Sequence, residues 1–168
     1  MHALRCHYYY SHTATTGTVI ASHNVLITDD CRAVLTDFGL SKTASTITGN
    51  TQSRGIFHGG TLAWTAPEVL NANEELPCFT EKSDVYSYGI VVWEVLCSGA
   101  SPWQQMSHKQ IVAAVSSGRR PQVPESCVND ANVSGAAKLT VLMKECLKGE
   151  PCERPDFTQI VDTLQLQK

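Results

Sequence analysis

The sequence predicts a mainly α-helical lobe that carries one small β-hairpin. Two short apolar runs near residues 25–36 have the β-branched composition of paired strands. Residues 85–96 are apolar on nearly every face, and three later segments repeat apolar residues at helical spacing. The length of 168 residues corresponds to one domain, since domains average about 150 residues.

Composition excludes several classes of protein. Lys and Arg number 13 against 16 Asp and Glu, so a broad nucleic-acid surface is not expected. The apolar run at residues 90–93 ends at Glu94, and no apolar run of the sequence approaches the ~20 residues of a membrane span. Seven cysteines form no CxxC pair, which favours reduced thiols and a cytoplasmic location over a disulfide framework or a zinc site.

The first ordered element is expected to be the hairpin. Residues 1–21 hold one charged residue, Arg5, and show neither helical periodicity nor the alternation of a strand. They are therefore expected to form a poorly ordered leader. Residues 25–28 and 32–36 form the two strands, joined by turn residues 29–31. Residues 40–65 carry nine Ser or Thr and four Gly, which predicts a long functional or mobile loop.

Helices follow from Ser83 onward. The segment 85–96 predicts a buried central helix, because a helix that is apolar on every face belongs inside a fold. Ser83 or Asp84 is expected to cap its start and Gly99 to end it. A capping box at 107–110 opens a second helix that Gly118 stops, and two further helices are predicted over residues 135–148 and from residue 156.

One pair of oxygen-bearing side chains indicates chemistry. Asp37, in the tripeptide Asp37-Phe38-Gly39, follows the second strand, and Asn24 stands at the head of the first. The hairpin is expected to bring both to the same end of the ladder. A carboxylate beside an amide oxygen suits Mg²⁺, which is commonly held by a few protein ligands together with phosphates.

Further motifs follow in a fixed order: residues 60–68 (GTLAWTAPE), residues 83–89 (SDVYSYG) and residues 153–155 (ERP). With Asp37-Phe38-Gly39, this set resembles the C-terminal lobe of a eukaryotic protein kinase. It is most similar to the tyrosine-kinase-like group, whose members mainly phosphorylate Ser and Thr. The resemblance makes residues 22–168 a partial protein kinase domain and leaves residues 1–21 unmatched.

The resemblance implies ATP and Mg²⁺ as cofactors. Asp37 would hold the Mg²⁺ that bridges the β and γ phosphates, and Asn24 the second Mg²⁺. Leu26 would form the floor under adenine, and Thr36 would line the nucleotide pocket.

The resemblance also implies roles outside the nucleotide pocket. Thr61 matches the substrate-side loop of Ser/Thr kinases, and residues 40–65 would be an activation loop whose hydroxyls are candidate phosphorylation sites. Glu68 is expected to pair with Arg154 away from solvent, and these two residues and Asp84 are expected to be scaffold. The implied partners are protein substrates or other kinases.

The departures from the family pattern concern the catalytic loop. Counted back from Asn24, Val19 stands where the family has its catalytic Asp, and Ala21 stands where it has a phosphate-neutralising Lys. No glycine-rich phosphate loop precedes residue 22. We therefore expect no catalytic residue, weak or absent nucleotide and metal binding, and no phosphoryl transfer by this chain. The alternative is a non-catalytic binding module that docks kinase partners around residues 107–117.

Overall fold

A computed structural model of the chain describes residues 15–16, 19–36, 42–43, 61–71, 79–128 and 135–165. Within these residues most of the regular structure is helical, which confirms the predicted mainly α-helical fold. The helices are α1 Pro67–Leu70, α2 Glu81–Leu96, α3 His108–Ser116, α4 Glu125–Val128, α5 Ala136–Cys146 and α6 Phe157–Gln165. The strands are β1 Thr15–Thr16, β2 Val25–Ile27, β3 Ala33–Leu35 and β4 Lys42–Thr43.

The predicted hairpin is present as β2 and β3. The strands pair antiparallel, with Leu26 opposite Val34 at the centre of the register. The turn between them closes through the Cys31 amide, which donates to the Thr28 carbonyl at 2.8 Å. Cys31 has a φ of +59°, the left-handed conformation that a tight turn requires.

A second strand pair joins segments that the sequence assigns to the leader and the long loop. β1 pairs antiparallel with β4, and Thr15 lies opposite Thr43. Further along, Ile20 and Ala21 are buried, at 3% and 0% exposure. Both pack because they are apolar and directly precede the hairpin, so the packed part of the chain begins before Ser22.

Helix α2 is the buried axis of the fold, as its apolar sequence predicts. Its cap differs from the prediction: the Thr80 hydroxyl accepts a hydrogen bond from the Ser83 amide, and the Ser83 hydroxyl accepts one from the Thr80 amide. Thr80 is therefore the N-cap residue, and Ser83, the third residue of the helix, completes the capping box. Beyond the helix, Gly99 adopts a φ of +82° and its amide donates to the Glu94 carbonyl, as expected of a terminating glycine.

The other helices pack around α2. Helix α5 lies so close that a Cβ built on Gly89 would be 2.9 Å from the Cβ of Cys146. The capping box predicted for α3 is present, with the Ser107 amide donating to Gln110, and Gly118 follows its end with a φ of +87°. Among the described residues no helix is both long and apolar enough to cross a membrane.

Candidate functional site

The open end of the hairpin brings Asn24 and Thr36 together. The Thr36 amide donates to the Asn24 carbonyl at 2.8 Å, and the Thr36 hydroxyl donates to the same oxygen at 3.1 Å. Asn24 is half-buried and ends the short 3₁₀ turn Ser22–Asn24. The residue before Asp37 therefore lies against Asn24. Asp37 itself lies outside the described residues, so the paired oxygen ligands stay a prediction.

One face of the hairpin is apolar and open to solvent. Leu26 is 57% exposed, and its cross-strand neighbour Val34 is 45% exposed. Ile27 follows Leu26 in β2, points to the opposite face of the hairpin and is 58% exposed. The exposed Leu26 side chain is compatible with the nucleotide base that the resemblance implies there, and Asn24 has one side-chain amide oxygen for a metal ion. The described part of the chain contains no group of three His, Cys, Asp or Glu side chains that could hold a metal by itself.

A buried carboxylate joins the segment before the hairpin to the loop before α1. Glu94, 7% exposed on α2, accepts a hydrogen bond from the Ser22 hydroxyl and another from the Trp64 indole, each at 2.8 Å. The His23 ring meets the Trp64 ring edge-on at 5.2 Å. Sequence reasoning missed this residue. The sequence marks Glu94 only as the one carboxylate within the apolar run of α2. Its two hydrogen bonds hold the segment at Ser22 and the loop at Trp64.

The loop at residues 61–66 is fixed to the helices through its backbone. The Thr65 hydroxyl and the Trp64 amide both donate to the Thr61 carbonyl, at 3.0 and 3.1 Å. The Ser87 hydroxyl on α2 donates to the Trp64 carbonyl at 2.8 Å. The Trp103 indole donates to the Ala63 carbonyl at 3.2 Å. Thr61, the predicted substrate-side residue, is therefore held half-buried beside α2.

Glu68 and Arg154 form a two-pronged ion pair. Two Arg154 nitrogens donate to the two Glu68 carboxylate oxygens, at 2.7 and 2.8 Å. The Arg154 side chain is fully buried, whereas the Glu68 side chain is 26% exposed, so the pair is less enclosed than the sequence predicts. The same guanidinium also donates to the carbonyls of Lys82, Lys148 and Gly149. Arg154 thereby joins α1, the start of α2 and the loop after α5.

Tyr86 lies beside this arginine in the core. The guanidinium carbon of Arg154 is 5.2 Å from the centre of its ring, and that of Arg120 is 5.3 Å away. The phenol hydroxyl is buried and has no hydrogen-bond partner among the described residues. Burial raises the pKa of Tyr86 to about 12, although the two nearby arginines act in the opposite direction.

The remaining predicted positions lie near α2 and the hairpin. Asp84 is 8% exposed and lies in the first turn of α2, where a carboxylate interacts favourably with the helix dipole. Val19 is half-buried and Ala21 fully buried, and the Ala21 carbonyl accepts from the Asn24 amide at 2.9 Å. A valine side chain has no atom that accepts a proton, so position 19 provides no general base.

Comparison with known proteins identifies similar sequences. Residues 8–164 match a protein-family model described as protein tyrosine and serine/threonine kinase. The megakaryocyte-associated tyrosine-protein kinase of Rattus norvegicus is 37% identical over 145 residues, which is 86% of this chain and 27% of that protein. The tyrosine-protein kinase csk-1 of Caenorhabditis elegans is 34% identical over 146 residues, 86% of this chain and 24% of that protein.

A receptor is similar to the same degree. The ephrin type-A receptor 3 of Danio rerio is 34% identical over 147 residues, which is 86% of this chain and 14% of the receptor. The chain thus spans about a quarter or less of the length of these curated relatives.

Proposed function

This chain belongs to the protein tyrosine and serine/threonine kinase family, and from that premise we propose that its residues form the substrate-side lobe of a protein kinase. The reaction of such a lobe is transfer of phosphate from Mg-ATP to a protein hydroxyl. We further propose that the 168-residue chain does not catalyse this transfer by itself. A cytoplasmic location is part of the same proposal.

The observation that carries the proposal is the position of Glu94. Its two hydrogen bonds hold Ser22, which lies two residues from Asn24, and Trp64, which lies three residues from Thr61. The segment proposed to hold metal and the loop proposed to face the protein substrate are therefore tied to one carboxylate. A lobe that positions a phosphoryl donor and an acceptor needs this fixed relation, because positioning provides much of the catalysis in phosphoryl transfer.

The hairpin would contribute the nucleotide side of the site. When bound, ATP supplies the phosphoryl group and Mg²⁺ neutralises its charge. Asn24 and Asp37 would hold the metal through oxygen atoms, Leu26 would lie under the base, and Thr36 would line the pocket. The double hydrogen bond from Thr36 to the Asn24 carbonyl supports this assignment, because it fixes the backbone on both sides of the site.

The chain's lack of activity would follow from position 19. Valine can neither orient a substrate hydroxyl nor accept its proton, and general-base catalysis contributes ~10²–10⁴-fold to such reactions. Thr61 supports serine or threonine as the acceptor, as the sequence predicts, whereas the names of the relatives support tyrosine. The proposal therefore takes a protein hydroxyl as the acceptor, and the experiment identifies which one.

The first test is a radiolabelled-phosphate transfer assay on the purified chain with a generic protein substrate. We expect no transfer above that of the Asp37→Ala variant. Transfer above this control would contradict the proposal that the chain is inactive by itself.

A chimera tests the proposed lobe. Residues 22–168 replace the matching segment of the Rattus norvegicus relative, so that the relative provides the residue at the position of Val19. We expect phosphoryl transfer that Asp37→Ala abolishes, and phosphoamino-acid analysis of the product identifies serine, threonine or tyrosine. A folded chimera without activity would contradict the proposal.

A second candidate function is a non-catalytic docking module, which Val19 favours. In this case the surface of α3 would bind another kinase and compete with that kinase's partners. The measurement is whether the purified chain binds the kinase domain of the rat relative. Loss of binding in the Lys109→Glu variant, whose side chain is exposed on α3, would support this function.

A further inference from the structure

Helix α5 carries an exposed valine at the middle of its outer face. Val141 is 62% exposed, whereas Leu142 and Met143, which follow it, are 5% and 2% exposed. Lys138 and Glu145 are exposed as well and stand one turn before and one turn after Val141. This spacing places the three exposed side chains on one face of the helix, with Val141 between two opposite charges.

The same face of α5 forms one wall of a groove with a volume of about 770 Å³. Lys138, Val141 and Glu145 line the groove from α5, and Gln159 and Thr163 line it from α6. A side chain that faces a groove can be covered by a partner on more than one side. The groove is therefore a concave surface in which Val141 is an exposed apolar centre.

The charged groups of this groove differ in the partners they already have. The Lys82 ammonium, which also lines the groove, donates to the Arg154 carbonyl at 2.7 Å. Glu145 forms an ion pair with Lys148 at 2.7 Å, but both side chains are partly exposed, and a carboxylate can accept from a second lysine. Among the described residues Lys138 has no ion-pair partner. Lys138 is therefore a cation that a carboxylate from outside the chain can neutralise.

The order of these residues along α5 is self-complementary in an antiparallel pair of helices. Lys138 and Glu145 lie equally far from the midpoint between Val141 and Leu142. A two-fold axis through that midpoint therefore sets Lys138 of each copy opposite Glu145 of the other. Both charges line the same groove, so they lie on the same flank of α5 and meet on that flank in the pair. The two Val141 side chains meet at the axis.

We propose that this groove is an interface between two copies of the chain, in which the α5 helices pack antiparallel about a two-fold axis. Lys138 of each copy pairs with Glu145 of the other, and the two Val141 side chains leave water between these ion pairs. A contact made by one short helix and its groove is smaller than the roughly 800 Å² per partner of a standard interface, so the dimer is weak and reversible. This proposal does not depend on the proposed kinase function.

Sedimentation velocity of the full chain at increasing concentration tests the proposal. We expect a reversible monomer–dimer equilibrium that is visible by ~1 mM. Lys138→Glu sets two carboxylates opposite each other at both ends of the contact, and Glu145→Lys sets two lysines there. Each variant alone should therefore dimerise at least about tenfold more weakly than the parent chain. An equimolar mixture of the two variants restores opposite charges at both ends, and we expect it to dimerise as the parent chain does.

A pair of valine variants tests the apolar centre. Val141→Lys should remove the dimer, because it puts two like charges at the axis. The matched control is Val95→Lys on α2, which also replaces an exposed valine, 47% exposed, and should leave dimerisation unchanged. Both changes are on the surface, so the midpoint of urea unfolding should stay close to that of the parent chain. Loss of the dimer at an unchanged midpoint shows that the variant is still folded.

A thiol at position 141 tests the antiparallel geometry. Val141→Cys places one new thiol from each copy at the axis, where mild oxidation should join them. Trypsin cuts after Lys138 and Lys144, and the peptide 139–144 of the parent chain contains no cysteine. We therefore expect this peptide to appear in the mass spectrum linked to a second copy of itself, and to separate on reduction.

Four results would overturn the proposal. One is a chain that stays monomeric up to ~1 mM, which would leave the groove to a partner of a different sequence. Another is a dimer that neither Lys138→Glu nor Glu145→Lys weakens. The third is a mixture of these two variants that stays monomeric. The last is a Val141→Cys dimer in which peptide 139–144 is never linked to itself, since the two α5 helices would then not meet at the axis.

Discussion

The helical part around α2 and the β2–β3 hairpin bury their side chains to very different degrees. In the helical part Val85, Tyr86, Ile90 and Leu96 are fully buried, and the Arg154 guanidinium donates to one carboxylate and three carbonyls. In the hairpin, Leu26, Ile27 and Val34 are 45–58% exposed, and the ion pair between Asp30 and Arg32 lies in solvent.

The helical part therefore buries its own apolar side chains, whereas the hairpin leaves much of its apolar surface in solvent. Exposed apolar side chains gain nothing from folding where they remain in water, so these hairpin residues contribute little to stability. The ion pairs differ in the same way: the Arg154 side chain is fully buried, whereas Asp30 and Arg32 are exposed. The predictions below test whether stability is concentrated in the helical part.

The largest effect is expected at Arg154. Arg154→Ala leaves the Glu68 carboxylate and the carbonyls of Lys82, Lys148 and Gly149 without this donor, and loss of one partner of a buried pair costs about 3–5 kcal/mol. Urea unfolding measures the loss. The matched control is Arg32→Ala, whose exposed ion pair should leave the unfolding midpoint unmoved. Equal effects of the two variants would contradict the comparison.

Tyr86 should make stability depend on alkaline pH. Its folded-state pKa is raised to about 12 from the ordinary tyrosine value of 10.0, so folding favours the protonated phenol. This stability is fully present below pH ~10 and is lost as the pH rises towards 12, by on the order of 2–3 kcal/mol.

Tyr86→Phe isolates this effect. The variant removes both the titration and the buried hydroxyl that lacks a partner, so its stability at neutral pH should equal or exceed that of the parent chain. The difference between the two chains should grow from pH 9 to pH 12 in urea unfolding. A constant difference across that range would show that the ring is solvated in the native state.

Gly89→Ala tests how closely α2 and α5 pack. The new Cβ would lie 2.9 Å from Cys146 Cβ and 2.9 Å from Leu147 Cδ2, so the helices must separate slightly. Overpacking of this kind costs about 1–3 kcal/mol, against which alanine recovers up to ~1 kcal/mol of helix propensity. In a double-mutant cycle with Leu147→Ala, the paired variant should lose less than the sum of the single losses. If the two losses of stability were strictly additive, the Leu147 side chain would move away from the new Cβ without cost.

The sequence predicts elements well where the signal is local. The all-apolar pattern of residues 85–96 predicts α2, and the strand pattern predicts the β2–β3 hairpin. The cap of α2 was misplaced by one turn because the capping box starts at Thr80, before the apolar run begins.

Glu94 shows where sequence reasoning ends. A carboxylate in an apolar run marks a special position, but its partners Ser22 and Trp64 lie 72 and 30 residues away. Contacts across such separations are set by the packing of whole elements, which no local pattern contains.

The smallest effect is expected on the open face of the hairpin. Leu26→Thr replaces a 57% exposed side chain with one of high strand propensity, so the free energy of unfolding should change by no more than ~0.5 kcal/mol. The matched core variant is Ile90→Thr, which puts a hydroxyl in a fully buried site and should cost several times more. Urea unfolding of both variants provides the comparison. If Leu26→Thr destabilised the chain as much as Ile90→Thr, the hairpin face would be part of the folded core, and the open apolar surface proposed for the nucleotide base would not exist.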